Sequence, residues 1–291
     1  MESESSELTL PYQFTAEECI KEGRVSSDDV EEIRTFVSNL NDKYVPARVQ
    51  DEMIVIFLLS CANDVQLTKK TIISYYLLKF EGPEIYDDRD LSNSDIQLAL
   101  NTIHMSSIPV RTEENDVYHY FNINDSNYKN FDLVPIMKAS YMLMDVAQEK
   151  NPPSGLIVVI DMKGLGLMHL TKLKIQAIKK YLTFLQEGFP MRMKMIHLIN
   201  SVYFIDKVMA IIKVFMKSEL MSMLQIHSPD LSPEKLYKII PKKYLPKEYG
   251  GDLPSEKELH EITLEKFRTK QKFWEIEEKI RKQAIQRDIN H

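Results

Sequence analysis

Gly155-Leu-Ile-Val-Val-Ile-Asp161 and Met191-Arg-Met-Lys-Met-Ile-His197 read as two strands, and the stretch between them decides how they are joined. Leu156 to Ile160 is a continuous apolar run of the kind found in strands buried on both faces. Met191, Met193 and Met195 alternate with Arg192 and Lys194, a period of two that sends the two sets to opposite sides of a pleated sheet. Between the strands Leu173, Ala177, Ile178, Tyr181, Leu182 and Leu185 follow helical spacing, with Lys172, Lys174, Lys179 and Lys180 on the wet side. A strand, helix, strand order with short linkers predicts a right-handed parallel crossover, and therefore α/β architecture.

Downstream, Ile199 to Leu224 carries more apolar surface than one helix face hides in an ordinary domain. A core, a membrane, a partner or a bound apolar molecule must cover the surplus. Asp206, Lys207, Lys213 and Lys217 to Glu219 interrupt it at depths that oppose a spanning helix. Leu245-Pro-Lys-Glu-Tyr-Gly-Gly251 follows. Ser255 and Glu258 then have capping-box spacing, and a charged helix is expected over residues 255–291, with Leu259, Ile262 and Phe267 on one stripe.

Upstream, Asp132 to Glu149 predicts a helix, Val117 to Ile123 a strand and Asp95 to His104 a helix. Residues 15–83 form an all-helical unit. Ser27 is the expected N-cap of a helix with Val30, Ile33, Phe36, Val37 and Leu40 on one stripe, and apolar helices follow over Met53 to Cys61 and Thr68 to Phe80. Glu81-Gly-Pro83 ends that unit, acidic Glu84 to Ser94 reads as a linker, and the α/β unit is expected over residues 95–254. Residues 1–14 are acidic and polar at the start and are expected to be disordered.

The composition is that of an ordinary globular chain, 44% hydrophobic and 27% charged, and a net charge of -6 argues against a nucleic-acid partner. Cys19 and Cys61 form no CxxC unit, so no disulfide framework, structural zinc or other metal is expected. The acidic start differs from a secretory signal, and the expectation is a soluble, cytoplasmic protein. An enzyme is not expected either. His169, His197 and His227 are scattered, Asp161 and Asp206 lack a paired carboxylate, and Gly164-Leu-Gly166 lacks the third glycine of a dinucleotide site.

Several short motifs share one order and spacing. They are Phe57-Leu58 with Asp64-Val65, the strand Gly155–Asp161 followed by Gly164, His197-Leu-Ile-Asn200, Lys213, Phe215, and Leu245-Pro246 with Glu248-Tyr-Gly-Gly251. The pattern resembles the CRAL-TRIO lipid-binding family, in particular the group that includes alpha-tocopherol transfer protein and cellular retinaldehyde-binding protein. The resemblance implies a small helical domain, then an α/β domain whose mixed sheet floors an apolar pocket closed by a lid helix. It further implies binding and transfer of a small hydrophobic ligand such as a tocopherol, retinoid or carotenoid, in the cytoplasm, with transient contact to a membrane and no cofactor besides the ligand. A lipid-responsive signalling or scaffold module without net transfer is the alternative.

By position, the floor and walls would include Leu156 and Ile160, then Tyr181, Phe184 and Leu185, then Phe189, Met191, Met193 and Ile196. Ser140, Tyr141 and Tyr181 would offer a polar partner. The lid would span Val202 to Leu220, with Phe204, Val208, Met209 and Ile212 facing inward. Leu156, Val158 and Ile160 share one strand face, and Met191, Met193 and Met195 are expected to share another that faces the same cavity. Seven of the 15 methionines fall between Met191 and Met223, and such adaptable side chains suit an exchangeable ligand; simple core filling is the alternative. Arg192 and Lys194 match two cationic positions of the cleft that holds phosphoinositide headgroups in the tocopherol-transfer group. The other positions fall on Glu219, Met221, Met223 and Cys61, so a complete phosphate clamp is not expected. Phe273, Trp274, Ile276 and Ile280 on the last helix would either dock a protein partner or pack back on their own chain.

Overall fold

The computed structural model describes residues 8–289, with side chains as far as residue 285. The helical unit comprises α1 (Ala16–Lys21), α2 (Ser27–Asn39), α3 (Asp51–Ser60), α4 (Val65–Glu81) and α5 (Pro83–Tyr86). Thr15 and Glu18 form a capping box on α1, and Asp64 accepts the Leu67 amide at the start of α4. Ser26, one residue before the expected Ser27, caps α2, because its hydroxyl reaches the Asp28 and Asp29 amides. In α3 every residue from Met53 to Leu58 is buried, which makes it the centre of the unit rather than an amphipathic surface helix.

Two expected boundaries move. Residues 84–94 are not a free linker, since Ile85 and Tyr86 are fully buried and Asp87 and Arg89 are drawn into ion pairs. Of residues 1–14, the first seven lie outside the described residues. Beyond them Leu10 and Phe14 are buried and the Gln13 amide donates to the Glu149 carbonyl at 2.8 Å, so this part is docked rather than disordered.

The α/β unit continues with α6 (Ser94–Thr102), β1 (Ile103–Ser107), β2 (Asp116–Ile123), α7 (Leu133–Ala147), β3 (Gly155–Asp161), α8 (Ile175–Glu187) and β4 (Met193–Ile199). It closes with α9 (Ile205–Ile212), α10 (Ser218–Ser222), β5 (Leu224–Ile226), α11 (Pro233–Ile239) and α12 (Glu256–Ile289). The sheet is mixed, in the order β1-β2-β3-β4-β5, with β1 antiparallel to β2 and the other pairs parallel. The expected helix through His104 stops at Thr102, because Ile103 to Ser107 pairs instead with Ile123 to His119. That ladder satisfies the backbone groups a further helical turn would have used.

Register assigns the two faces. Val117 lies beside Leu156, Phe121 beside Ile160, Leu156 beside Met193 and Val158 beside Ile196, so these share the face under α7, α8 and the helical unit. Tyr118, Tyr120, Val159 and Ile199 take the other face, under α11 and the chain that follows it. A β-bulge breaks the alternation in β4: Leu156 pairs with Met193, yet Ile157 pairs with Met195, leaving Lys194 as the extra residue. Met195 therefore points away from Met193, and the expected single methionine face does not exist.

α12 lies on β1 and α7, with Leu259, Thr263, Phe267, Lys270, Trp274, Glu277 and Arg281 on its buried side. Ile262, expected on that stripe, is 43% exposed. Phe273 and Trp274 are buried, and Ile276 and Ile280 pack on the same cluster, so this surface is spent on the chain itself rather than held for a partner. Among the described residues no helix is long and apolar enough to cross a membrane.

Candidate functional site

α8 lays its apolar stripe over the sheet face that carries Leu156 and Val158, and its C-terminal end meets the helical unit. A Cβ on Gly188 would come within 3.0 Å of the Tyr75 backbone, so the absence of a side chain lets α8 and α4 approach. Around this contact the aromatic rings interlock. Phe184 lies 4.8 Å from Tyr86, 5.1 Å from Tyr141 and 5.7 Å from Tyr75, and Tyr141 lies 5.0 Å from Tyr181.

Tyr141, Leu156, Phe184, Phe189 and Met191 are thus buried in one apolar cluster, and Ile160, Tyr181, Leu185, Met193, Ile196 and Ile212 pack against it. Phe204 is buried elsewhere, edge-on to Tyr203 at 5.1 Å, while Val208 and Met209 are half-buried outside the cluster. Reasoning from sequence missed Phe57, Tyr75 and Tyr86 of the helical unit, and Ile211 and Phe215 of the lid, all of which join the cluster. The adjacent Tyr75-Tyr76 pair within α4 was the available signal.

Ser140 supplies the polar element. Its hydroxyl donates to the Met137 carbonyl at 2.7 Å, so the Tyr181 hydroxyl, 2.9 Å away, donates to Ser140. Burial raises the pKa of both Tyr141 and Tyr181 and keeps these phenols neutral. The pair keeps free lone pairs and offers an acceptor to any group that approaches.

The lid is not the single helix expected over Val202 to Leu220. α9 gives way to a 3-10 turn at Lys213–Phe215, then to extended backbone at Met216 and Lys217, and only then to α10. Gln186 of α8 stabilises the break, its side-chain amide donating to the Phe215 carbonyl at 2.9 Å and accepting the Lys217 amide at 2.6 Å. No residue of α9 is fully buried. Ile211, Ile212 and Phe215 rest on the floor cluster, whereas Tyr203 is 85% and Val214 68% exposed.

The candidate cations do not converge. Arg192 is exposed, and Lys194 sits at the bulge 4.0 Å from Asp116, whose carboxyl burial raises and Lys194 lowers. Glu219 is exposed at the start of α10. Two clefts, of about 550 and about 190 Å³, open beside α12 and are lined by Arg89, Gln271 and Trp274 and by Tyr44, Phe80 and Arg281 respectively. Neither is lined by the residues expected around the ligand. His197 and His227, expected to be scattered, are in contact, Nδ1 to Nε2 at 3.1 Å, because β5 returns parallel to β4. Burial keeps both imidazoles below the usual histidine range.

Leu245 to Gly251 folds back on itself. The Gly251 amide donates to the Pro246 carbonyl at 3.1 Å, and a Cβ on Gly251 would sit 1.8 Å from the Leu245 carbonyl oxygen. Only glycine fits there. Tyr249 reaches from this turn to Asp161 at the end of β3.

The family model described as CRAL/TRIO domain matches residues 102–251, more than half of the chain, from the end of α6 to this turn. The chain belongs to the CRAL/TRIO family. A second model, described as Pinta-like, UBA domain, matches residues 24–96, from just past the end of α1 through the rest of the helical unit to the first turn of α6. Among known CRAL/TRIO relatives, alpha-tocopherol transfer protein-like of Mus musculus is 26% identical over 77% of this chain and 64% of that protein. Its Homo sapiens counterpart is 25% identical over 70% and 59%. Clavesin-1 of Xenopus laevis is 24% identical over 78% and 68%. The matched region thus spans about three fifths of the length of the tocopherol-transfer-like relatives. A solved structure of Sfh5 is a distant likeness, with a TM-score of 0.49 and 14% identity over 83% of this chain and 87% of that one.

Proposed function

We propose that this CRAL/TRIO chain binds one small hydrophobic molecule between the sheet face of Leu156 and Val158, α8 and the lid, and moves it between membranes as a carrier without catalysis. The lid carries the reading. In the lid, Ile211, Ile212 and Phe215 are half-buried on the apolar floor cluster, while Tyr203 and Val214 face solvent, so one short segment holds apolar surface for two environments. Movement of α9 would uncover the Met193, Ile196 and Tyr181 edge of the floor cluster. An apolar guest burying on the order of 300 Å² there, at about 25 cal/mol per Å², would gain about 7.5 kcal/mol before ordering costs.

The tocopherol-transfer-like relatives support a ligand of that size and polarity, and the Ser140–Tyr181 acceptor suits a guest with a single hydroxyl. Exposed Tyr203 and Val214 fit transient contact with a membrane surface. Specific phosphoinositide coupling draws no support from Arg192 and Lys194, because Lys194 is directed to Asp116 and does not join Arg192 in a phosphate clamp. A scaffold acting through α12 draws no support from Phe273 and Trp274, which are buried.

Organic extraction and mass spectrometry of protein purified from cells, with uptake of retinoid, tocopherol and carotenoid probes, tests binding. Transfer between donor and acceptor vesicles tests carriage. No extracted lipid and no probe uptake would remove the basis of the proposal; binding without transfer would favour the lipid-responsive scaffold.

A further inference from the structure

Side chains from β3, the link between β4 and the lid, the Leu245–Gly251 turn and α12 meet at one point. Asn200 Nδ2 donates to both carboxylate oxygens of Asp161, at 2.9 Å each, and the Lys163 amide donates to Oδ1 at 2.8 Å. Tyr249 Oη lies 2.7 Å from Asp161 Oδ2 and 2.5 Å from Glu256 Oε1. A phenol carries one proton and cannot donate to two carboxylates. With donors converging on Asp161, Tyr249 donates there, and the second contact needs a proton on Glu256, donated to Tyr249 Oη.

The surroundings suit that proton. Burial raises the Glu256 carboxyl to about 7, with Glu248 and Asp161 adding to the rise and Lys163 opposing it. Glu248 also accepts the Glu256 amide at 3.0 Å, so a second carboxylate faces the same turn of α12.

Asn200 directly follows β4, two residues before the lid, and has a φ of 50°, in the left-handed region that asparagine enters more readily than other residues with a Cβ. On either side of it the Met162 amide donates to the Ile199 carbonyl and the Ser201 amide to the His227 carbonyl. The direction in which the chain leaves β4 is therefore set at Asn200, and the Asp161 carboxylate holds its side chain.

We infer that Asp161, Asn200, Tyr249 and Glu256 are positioning residues of the lid: a four-membered clasp that fixes the hinge at Asn200 and so keeps α9 on the floor. The inference rests on the reading of residues 202–220 as a lid. Because the folded-state value of Glu256 lies above its unfolded one, the stabilisation is complete below the unfolded value and is lost as pH rises through about 7. Loss of the proton sets two carboxylates against one phenol and releases the hinge.

Hydrogen exchange of residues 201–226, normalised to intrinsic rates, tests this without any ligand. In the wild-type protein, protection of the lid should fall about tenfold between pH 6 and pH 8.5. Glu256→Gln keeps a neutral donor at every pH and should abolish the fall, while Tyr249→Phe should give the faster exchange at both pH values with β2 and β3 still protected. Equal wild-type protection at the two pH values, or an undiminished fall in Glu256→Gln, would overturn the clasp. Protein that shows the pH-dependent protection but yields no lipid would overturn the carrier reading and leave the clasp standing.

Discussion

Lys79 Nζ lies 2.9 Å from Glu277 Oε1, with both side chains almost wholly buried, and this pair joins the helical unit to α12. Arg281 Nε donates to the same oxygen at 2.9 Å, and Arg89 reaches the other oxygen while pairing with Asp145 at 2.7 Å. Burial alone would raise the Glu277 carboxyl, but Arg281, Lys79 and Arg89 hold it well below the usual range. Burial also pushes the Lys79 ammonium down, although Glu277 pulls it up. The partners shift the same way because three cations share one carboxylate, and the two guanidinium groups make Lys79 the weakest claimant.

Glu277→Ala is therefore expected to leave three desolvated cations without their common partner and to destabilise the protein by about 3–5 kcal/mol. Glu265→Ala removes an exposed pair with Arg268 and should cost less than about 1 kcal/mol. Urea unfolding of both variants makes the comparison; equal, small effects would mean that the network does not hold α12 in place.

His119 is fully buried on β2, and neither ring nitrogen has a partner among the described residues. Burial, then Arg111 and Lys266, push its imidazole down to about 3. Between that value and about 6.5 the unfolded chain takes up a proton that the folded one refuses, so stability falls as pH falls, by about 2 kcal/mol at pH 5. His119→Leu should be neutral or stabilising at pH 7, since no hydrogen bond is lost, and should reduce the loss between pH 7 and pH 5 by about that amount. Some acid sensitivity should remain, because His104 and His197 are also held down to about 4. Urea midpoints at the two pH values decide it.

The β3–α8–β4 crossover was legible because each element repeats one period cleanly: an apolar run at Leu156–Ile160, a stripe from Leu173 to Leu185, an alternation from Met191. What escaped has a physical reason in each case. Lys194 enters a bulge, so the period of two continues in sequence while the face changes in space. β1 is an edge strand of five residues whose identity depends on pairing with β2, a long-range contact that no local pattern announces. The buried side of α12 includes Thr263, Lys270, Glu277 and Arg281, which read as solvent-facing until Lys79, Arg89 and Asp87 are brought to them. In the site, the floor residues of β3, α8 and β4 followed from periodicity, whereas the Tyr75 and Tyr86 wall required knowing that the helical unit docks there.

The Leu245–Gly251 turn gives a sharper mutational test. Gly251→Ala would set a Cβ 1.8 Å from the Leu245 carbonyl oxygen and 2.3 Å from its carbon, a backbone clash that no rotamer relieves. The turn must open, at about 3 kcal/mol or more. Gly23 has a φ of 70° but nothing within 4 Å of such a Cβ, so Gly23→Ala should cost about 1–2 kcal/mol, the left-handed strain alone. Thermal melts of the two variants should differ in that order; a milder effect at Gly251 would contradict the close approach.

Ile212→Asp separates the lid from the fold. Ile212 is half-buried at the end of α9 and packs against the floor cluster, whereas Leu156 and Phe184 of that cluster are fully buried and held by β3 and α8. Removing its apolar contact costs about 2 kcal/mol of lid closure, and the new carboxylate escapes to water when the lid moves, so the sheet beneath bears little of the loss. A difference of that size corresponds to about thirtyfold faster escape of a bound apolar probe. The melting temperature should stay within a few degrees of wild type. Fluorescent-probe dissociation and a thermal melt on the same preparation give the answer: unfolding in parallel with probe loss would mean that Ile212 is a core residue, and unchanged dissociation would mean that α9 does not cover the ligand.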